Sequence, residues 1–281
     1  MKRVLLIYLC ILISACMQAQ HTEKLYIFHT NDTHSTIDPV SVNDADTALA
    51  GKGGFVRRAA LIRQLREKYG ENNMLLFDSG DFSQGSPYYN VFKGEAEIDL
   101  MNAMGYDACT IGNHEFDYGL ENMARIFKKA SFPVVCSNYC FKNTPLEDVV
   151  RPYVILHRGG LKIGGLGVGP ELRGLVYEEF YGNVTYMEPV KVVNEMASFL
   201  KTKKHCDLVI CLSHLGWQGS VSDEKLIANT RNIDMVLGGH THSYFDKPLF
   251  YKNLDGKMIP LQQMGKYGHF LGWITLDFEK K

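Results

Sequence analysis

Five polar clusters punctuate this 281-residue chain, and each follows a short apolar run: Asn31-Asp32-Thr33-His34, Gly80-Asp81, Gly112-Asn113-His114-Glu115, Ser213-His214 and Gly238-Gly239-His240-Thr241-His242. Short apolar runs bounded by Gly, Asn, Asp and Ser are strand signals. They fall here at residues 24–30, 74–77, 108–111, 208–212 and 235–237. A further strand is expected at 133–137, and a hairpin at 153–157 and 162–168 around Arg158-Gly159-Gly160. Helical periodicity occupies 55–69, 95–104, 120–129 and 190–203, and the tail is β-like at 258–263 and 270–278. This alternation predicts an α/β fold with parallel pairing. Open α/β sheets place their chemistry beyond the carboxyl ends of the strands, where the five clusters lie.

With 46% hydrophobic residues the chain can bury a large core. No repeat and no Pro- or Ser-rich linker divides it, so one domain over residues 22–281 is expected. The formal net charge is −1 and no long basic run appears, which excludes a protein that binds long nucleic acid by neutralising many phosphates. Small anions stay within reach, because bound cations supply local positive charge that composition does not count.

The first 19 residues read as a signal segment. Lys2 and Arg3 precede an apolar run over 4–13, too short to cross a bilayer but of secretory form. Ile13-Ser14-Ala15-Cys16 resembles the lipobox of bacterial lipoproteins, in which Cys16 becomes a lipidated first residue. Cleavage after Ala19 is the alternative, and it places Met17 where a small residue is preferred. Either way an exported protein is expected, periplasmic or in the cell envelope, with a membrane anchor through Cys16 in the first case. Beyond the leader remain Cys109, Cys136, Cys140, Cys206 and Cys211, an odd number that cannot pair completely within the chain. Four of them lie in apolar runs and read as small core residues. The Cys136/Cys140 spacing is a weak metal or disulfide signal.

Each cluster alone has a plain structural reading: Asn31-Asp32 and Gly80-Asp81 as turns, Asn113 as a helix cap, His214 and His240 as hydrogen-bonded core histidines. All five at strand ends point instead to one site. Asp32 and His34 can turn a carboxylate and an imidazole onto one cation. Asp81 offers two oxygens and can bridge, Asn113 offers a carbonyl oxygen, and His214, His240 and His242 offer imidazole nitrogens. Mixed nitrogen and oxygen ligation suits Mn, Zn or Fe better than Mg or Ca. Two divalent cations about 3.5–4 Å apart would clamp the attacking and leaving oxygens of an in-line displacement, and would lower the pKa of a water so that hydroxide exists near neutral pH. A two-metal hydrolase is therefore expected.

His29-Thr30-Asn31-Asp32-Thr33-His34, Gly112-Asn113-His114-Glu115-Phe116-Asp117 and Gly239-His240 closely resemble the signatures of the calcineurin-like metallophosphoesterases and, within them, of the 5′-nucleotidases. The resemblance covers residues 25–278. It implies a four-layer αββα sandwich with the site where the two sheets meet. It further implies that Asp32, His34, Asp81 and His242 hold one cation and that Asp81, Asn113, His214 and His240 hold the other, Mn or Zn being expected. His114 and Asp117 would form a catalytic dyad, in which Asp117 orients the ring while His114 stabilises the transition state or protonates the leaving oxygen. Ser35 stands where the family often has Gly, and His242 where some nucleotidases have Gln or Asn. The expected activity is hydrolysis of a small phosphate monoester. The alternatives are a phosphodiesterase acting on cyclic nucleotides or nucleotide sugars, and a metal-stabilised subunit without catalysis. Full-length members continue into a domain that recognises the nucleobase, so a separate polypeptide carrying that domain is an expected partner.

Smaller features carry less. Residues 51–54 read as an entry to the next helix rather than a phosphate loop, Pro87-Tyr88-Tyr89-Asn90 as a packing segment beside the cleft, and Trp217 equally as a site residue or the cover of a sheet edge.

Overall fold

The structure, a computed structural model, describes residues 22–279. The leader signals at Lys2, Arg3, 4–13, Cys16 and Ala19, and His21 with them, lie outside the described residues. Among the described residues no helix is long and apolar enough to cross a membrane.

The first strand, β1 (Thr22–Thr30), pairs in parallel with β2 (Met74–Asp78), and β2 in parallel with β3 (Ala108–Cys109). The last strand, β12 (Gly272–Glu279), closes this sheet antiparallel to β1, with Ile274 opposite Ile27. The helices α1 (Phe55–Tyr69), α3 (Glu95–Met104) and α4 (Gly119–Phe127) cover its outer face. A short α2 (Pro87–Phe92) precedes α3, its Pro87 in the first turn and Ser86 accepting from the amides of Tyr88 and Tyr89. That pattern satisfies amide groups a helix start leaves bare.

A small ribbon of β4 (Tyr139–Cys140) and β7 (Thr185–Tyr186) stands apart from a second sheet of six strands: β5 (Tyr153–Arg158), β6 (Leu161–Val168), β8 (Leu208–Ser213), β9 (Met235–Leu237), β10 (Leu249–Lys252) and β11 (Met258–Gln262). The six run in the order β10-β11-β9-β8-β6-β5, parallel at the centre and antiparallel at both edges. A single-turn α5 (Glu178–Tyr181) follows β6, and α6 (Pro189–Thr202) and α7 (Asp223–Ala228) flank the sheet. Val193, Ala197 and Leu200, spaced four and three residues apart, form the buried stripe of α6.

Strand alternation divides the core into three parts. Leu25 and Ile27 of β1, Leu75 and Phe77 of β2, and Ile210, Leu212, Met235 and Leu237 of β8 and β9 meet between the sheets. Phe28 and Leu76 face α1, α3 and α4, while Val209, Cys211 and Val236 face α6 and α7. The layers are helix, sheet, sheet, helix, the αββα sandwich expected.

Two sequence expectations need correction. Residues 133–137 form no strand but two single bridges, Val134 to Cys109 and Val135 to Arg151. This segment crosses from one sheet to the other: the Val135 amide donates to Cys109 at 2.8 Å and the Ser137 amide to Gly167 at 2.7 Å. A Cβ at Gly167 would lie 2.1 Å from the Val135 carbonyl, so the crossing requires glycine there. The strand expected at 108–111 is only two residues long, because its partner β2 ends at Asp78, which pairs with Cys109. The cysteines at 109, 136, 206 and 211 are buried and free, and Cys140 is exposed and free. Gly54, at φ 84°, makes the turn into α1, and Trp217 packs on Phe245 at 5.1 Å and donates to the Tyr251 hydroxyl of β10, covering that edge.

Candidate metal centre

Beyond their last paired residues the loops after β1 and β2 continue side by side. Asp32 donates to the Gly80 carbonyl at 2.9 Å, His34 to Asp81 at 3.0 Å and Ser35 to Phe82 at 2.8 Å. This forces a bent backbone: Asp32, His34, Asp81, His240 and His242 all sit at positive φ, between 42° and 74°. Non-glycine residues are rarely held there, and such strain, of order 1–3 kcal/mol each, gathers at functional sites. Gly112 is required by the same crowding, since a Cβ on it would lie 2.1 Å from Asp81 Oδ1.

The turns converge in two clusters, Asp32, His34 and His242, and Asp81, His214 and His240, each with ligand-capable atoms within 4.8 Å of one another. In the first, His34 Nε2 is 3.0 Å from His242 Nε2, and Asp32 Oδ1 is 3.8 and 3.4 Å from those two nitrogens. In the second, Asp81 Oδ2 is 3.0 Å from His214 Nε2. Asp32 Oδ1 also lies 3.8 Å from His214 Nε2, so the clusters adjoin. His214 is fixed through its other nitrogen, Nδ1, 2.7 Å from the Ser79 carbonyl, which turns Nε2 inward.

A pair of cations fits this donor set. Asn113 Oδ1 is buried without a hydrogen-bond partner, a costly state for a polar atom unless something binds it. Burial pushes the imidazoles of His34 and His240 down, toward the neutral form that ligation requires. Burial works against the Asp81 anion, yet the charge of His214 holds its carboxyl well below the usual range. Burial likewise opposes a charge on His214, but Asp81 and Asp32 raise its pKa to about 10.

His114 and Asp117 stand at the rim, each side chain 32% exposed, with His114 Nδ1 3.1 Å from Asp117 Oδ2. A 3-10 turn over His114–Phe116 sets this i, i+3 contact. The His114 amide donates to Asp81 Oδ1 at 2.9 Å, and its ring lies 5.5 Å from that of His34. Burial disfavours the imidazolium, but the Asp117 hydrogen bond and the charge of Asp81 raise its pKa overall. All the ligand and dyad residues expected from the sequence thus occupy one region, Asn113 joining through its neighbours.

Other residues hold the ligand loops in place, and the sequence assigns them no role. Glu115 accepts from the amides of Asp81 at 3.0 Å, Ser83 at 3.1 Å and Gly112 at 2.6 Å, pinning the loops after β2 and β3 together. Gln263 accepts from the Ser243 amide at 2.5 Å and donates to the Gly239 carbonyl at 2.7 Å, clamping the loop of His240 and His242. Glu115 lies inside one of the five clusters, which is a signal; Gln263, in the tail, carries none. The other described histidines, read from the sequence as structural or surface residues, stand outside the two clusters: His29 is buried against Gln262 at 3.2 Å, His157 and His205 are exposed, and the His269 ring packs on Tyr267 at 5.8 Å.

Behind His214, the buried Asp223 accepts from the Ser213 hydroxyl. Burial pushes its carboxyl up to about 8, against the pull of that hydrogen bond. A folded value above the unfolded one, about 4 for Asp, means the native state holds an extra proton between them. The contribution to stability is complete below about pH 4 and is lost as pH rises to about 8. Relative to Asp223→Asn, the wild-type protein should therefore lose melting temperature between pH 5 and pH 9. A difference that does not vary with pH would show that Asp223 is not protonated in the fold.

Comparisons with known proteins agree with this geometry. The chain is similar to the snake venom 5′-nucleotidase of Gloydius brevicauda, 30% identical over 92% of this chain and 46% of the relative. The crystal structure of a 5′-nucleotidase precursor from Thermus thermophilus superposes with a TM-score of 0.81 at 30% identity, covering 92% of this chain and 52% of that one. The NAD nucleotidase of Haemophilus influenzae superposes with a TM-score of 0.79 at 27% identity, covering 92% and 54%. The chain spans about half the length of the relatives it matches. With residues 25–244 matching the profile of the calcineurin-like phosphoesterases, and those residues carrying both ligand clusters and the dyad, the chain belongs to that family.

Proposed function

We propose that the chain is a two-metal phosphoric monoester hydrolase acting on nucleotides or similar small phosphate esters. The observation that carries this reading is the convergence of the two ligand clusters beside the His114–Asp117 pair. Asp32, His34, Asp81 and His242 would hold one divalent cation, and Asp81, Asn113, His214 and His240 the other, Mn or Zn by the mixed donor set. Bound there, the pair would supply positive charge for the phosphate and Lewis acidity for in-line attack by water. His114 keeps Nδ1 on Asp117 and offers Nε2 as the proton donor to the leaving oxygen; Asp117 orients the ring and favours its charged form. Glu115 and Gln263 keep the ligand loops from shifting as charge develops.

Hydrolysis of 4-nitrophenyl phosphate, followed with metal content before and after chelation, tests the reading. Activity should vanish with the metal and return with Mn or Zn; full activity in metal-free protein would defeat it. Bis(4-nitrophenyl) phosphate in the same assay should be cleaved far more slowly.

Export rests on the basic and apolar leader, and an anchor on Cys16; the mass of the mature N-terminus, with and without Cys16→Ser, decides between lipidation and cleavage after Ala19. Nucleobase discrimination is proposed to draw on a further polypeptide segment, a reading supported by relatives about twice as long. AMP should then be hydrolysed no better than a simple aryl phosphate by the purified chain, and better once a candidate partner is added.

A further inference from the structure

We infer that the cleft beyond His114 is a leaving-group subsite for flat, uncharged ring systems, so that the chain itself favours aryl phosphates and nucleoside monophosphates over aliphatic phosphate esters. The inference deepens the monoesterase reading and rests on it. The cleft encloses about 730 Å³, and both His114 and Asp117 line it. If His114 Nε2 serves the leaving oxygen, whatever that oxygen carries must extend into the space His114 borders.

Part of the wall of that space is aromatic and apolar, beside the polar Gln84, Ser86 and Asn90. Tyr118, Leu175, Tyr177 and Phe180 line it, and three of them are unusually open for large hydrophobic side chains, Tyr177 at 76%, Leu175 at 44% and Tyr118 at 36% exposure. Grouped exposure of this kind beside a polar centre marks a surface kept for a ligand. The Tyr177 and Phe180 rings stand nearly perpendicular, 84° apart with centroids at 6.0 Å, which props Tyr177 upright from the short α5. Tyr118 is held against Tyr89 at 5.1 Å, and Lys93 lies over its ring at 5.1 Å. The open ring is therefore that of Tyr177.

Charge narrows the class further. Among the described residues no Lys or Arg lines the cleft, and its one carboxylate is Asp117. A leaving group that is itself a phosphate, as in a nucleoside diphosphate losing its terminal phosphoryl group, would enter with no cation in the walls, Lys93 standing behind the Tyr118 ring. A ring on a neutral alcohol gains stacking without that penalty, and stacking tolerates any base because every base has a flat face. A second cleft, against His242, is lined by Asp44, Lys266, Tyr267 and Phe270 among others, but it does not border His114, so a group carried on the oxygen that His114 serves would not enter it.

The test compares metal-loaded wild-type protein with Tyr177→Ala and with Phe270→Ala in the second cleft. The ratio of kcat/KM for 4-nitrophenyl phosphate to that for glycerol phosphate, and the same ratio for AMP, should fall about tenfold in Tyr177→Ala, the equivalent of about 1.4 kcal/mol, and hold in Phe270→Ala. Unchanged ratios in Tyr177→Ala, or a fall in Phe270→Ala instead, would overturn the subsite. If the wild-type protein hydrolyses none of the three esters, the monoesterase reading fails by itself. Adenosine binding by titration calorimetry then decides the subsite alone: affinity about tenfold weaker in Tyr177→Ala upholds it, and equal affinity, or no binding to the wild type, removes it.

Discussion

Asp81→Asn should reduce phosphate ester hydrolysis to background while the fold survives. Asn nearly matches Asp in shape, so the positive-φ turn at Asp81 and its amide bond to Glu115 are kept. What changes is charge and donor chemistry at a site only 2% exposed. One oxygen of Asp81 accepts from the His114 amide and the other faces His214 Nε2. An amide in its place turns its nitrogen toward one of those donors and also removes the formal negative charge that Asp81 brings to the second cluster. Under the proposed assignment Asp81 serves both cations, so its loss should empty both positions rather than one. Metal content, melting temperature and 4-nitrophenyl phosphate turnover should be measured on the same preparation. Loss of metal and turnover with a folded protein is expected, and full turnover in the variant would sink the two-metal reading.

Asp81 also illustrates how much of the site is legible in the sequence. Its candidacy as a ligand follows from residue type and from its position just past an apolar run, because strand ends in an α/β sheet bring distant turns to one edge. Long periodic elements are equally legible: α1 and α3 fall on the expected residues, since their apolar spacing reports directly which face is buried. Elements set by tertiary contact are not. α2, α5 and α7 are too short to show a period, and the segment at 133–137 has strand composition but is drawn across two sheets by Cys109, Arg151 and Gly167. In the same way the clustered ligand candidates stand out by residue type and spacing, whereas Gln263 is a plain polar residue until the fold sets it under the His240 loop.

His114→Ala should leave metal content near the wild-type level and lower kcat by about 10²–10⁴-fold, the usual worth of a positioned general acid or base. Its ring is 32% exposed at the rim and bonded to Asp117, whereas the residues clustered so that they could hold a metal are Asp32, His34 and His242, and Asp81, His214 and His240. The contact it makes with the second cluster is through its backbone amide, to Asp81 Oδ1, and alanine keeps that bond. Truncation therefore removes a proton donor without removing a ligand. Asp117→Asn should produce a smaller loss, because the ring remains while the carboxylate that orients it and favours its protonated form does not. The effect should also depend on the leaving group: an alcohol of high pKa needs the proton in the transition state, while 4-nitrophenolate leaves readily without it. The loss in His114→Ala should accordingly be greater for AMP or glycerol phosphate than for 4-nitrophenyl phosphate. A variant that loses metal but keeps normal turnover per remaining site would make His114 a ligand. Equal losses for good and poor leaving groups would instead assign it to charge stabilisation of the phosphoryl oxygens.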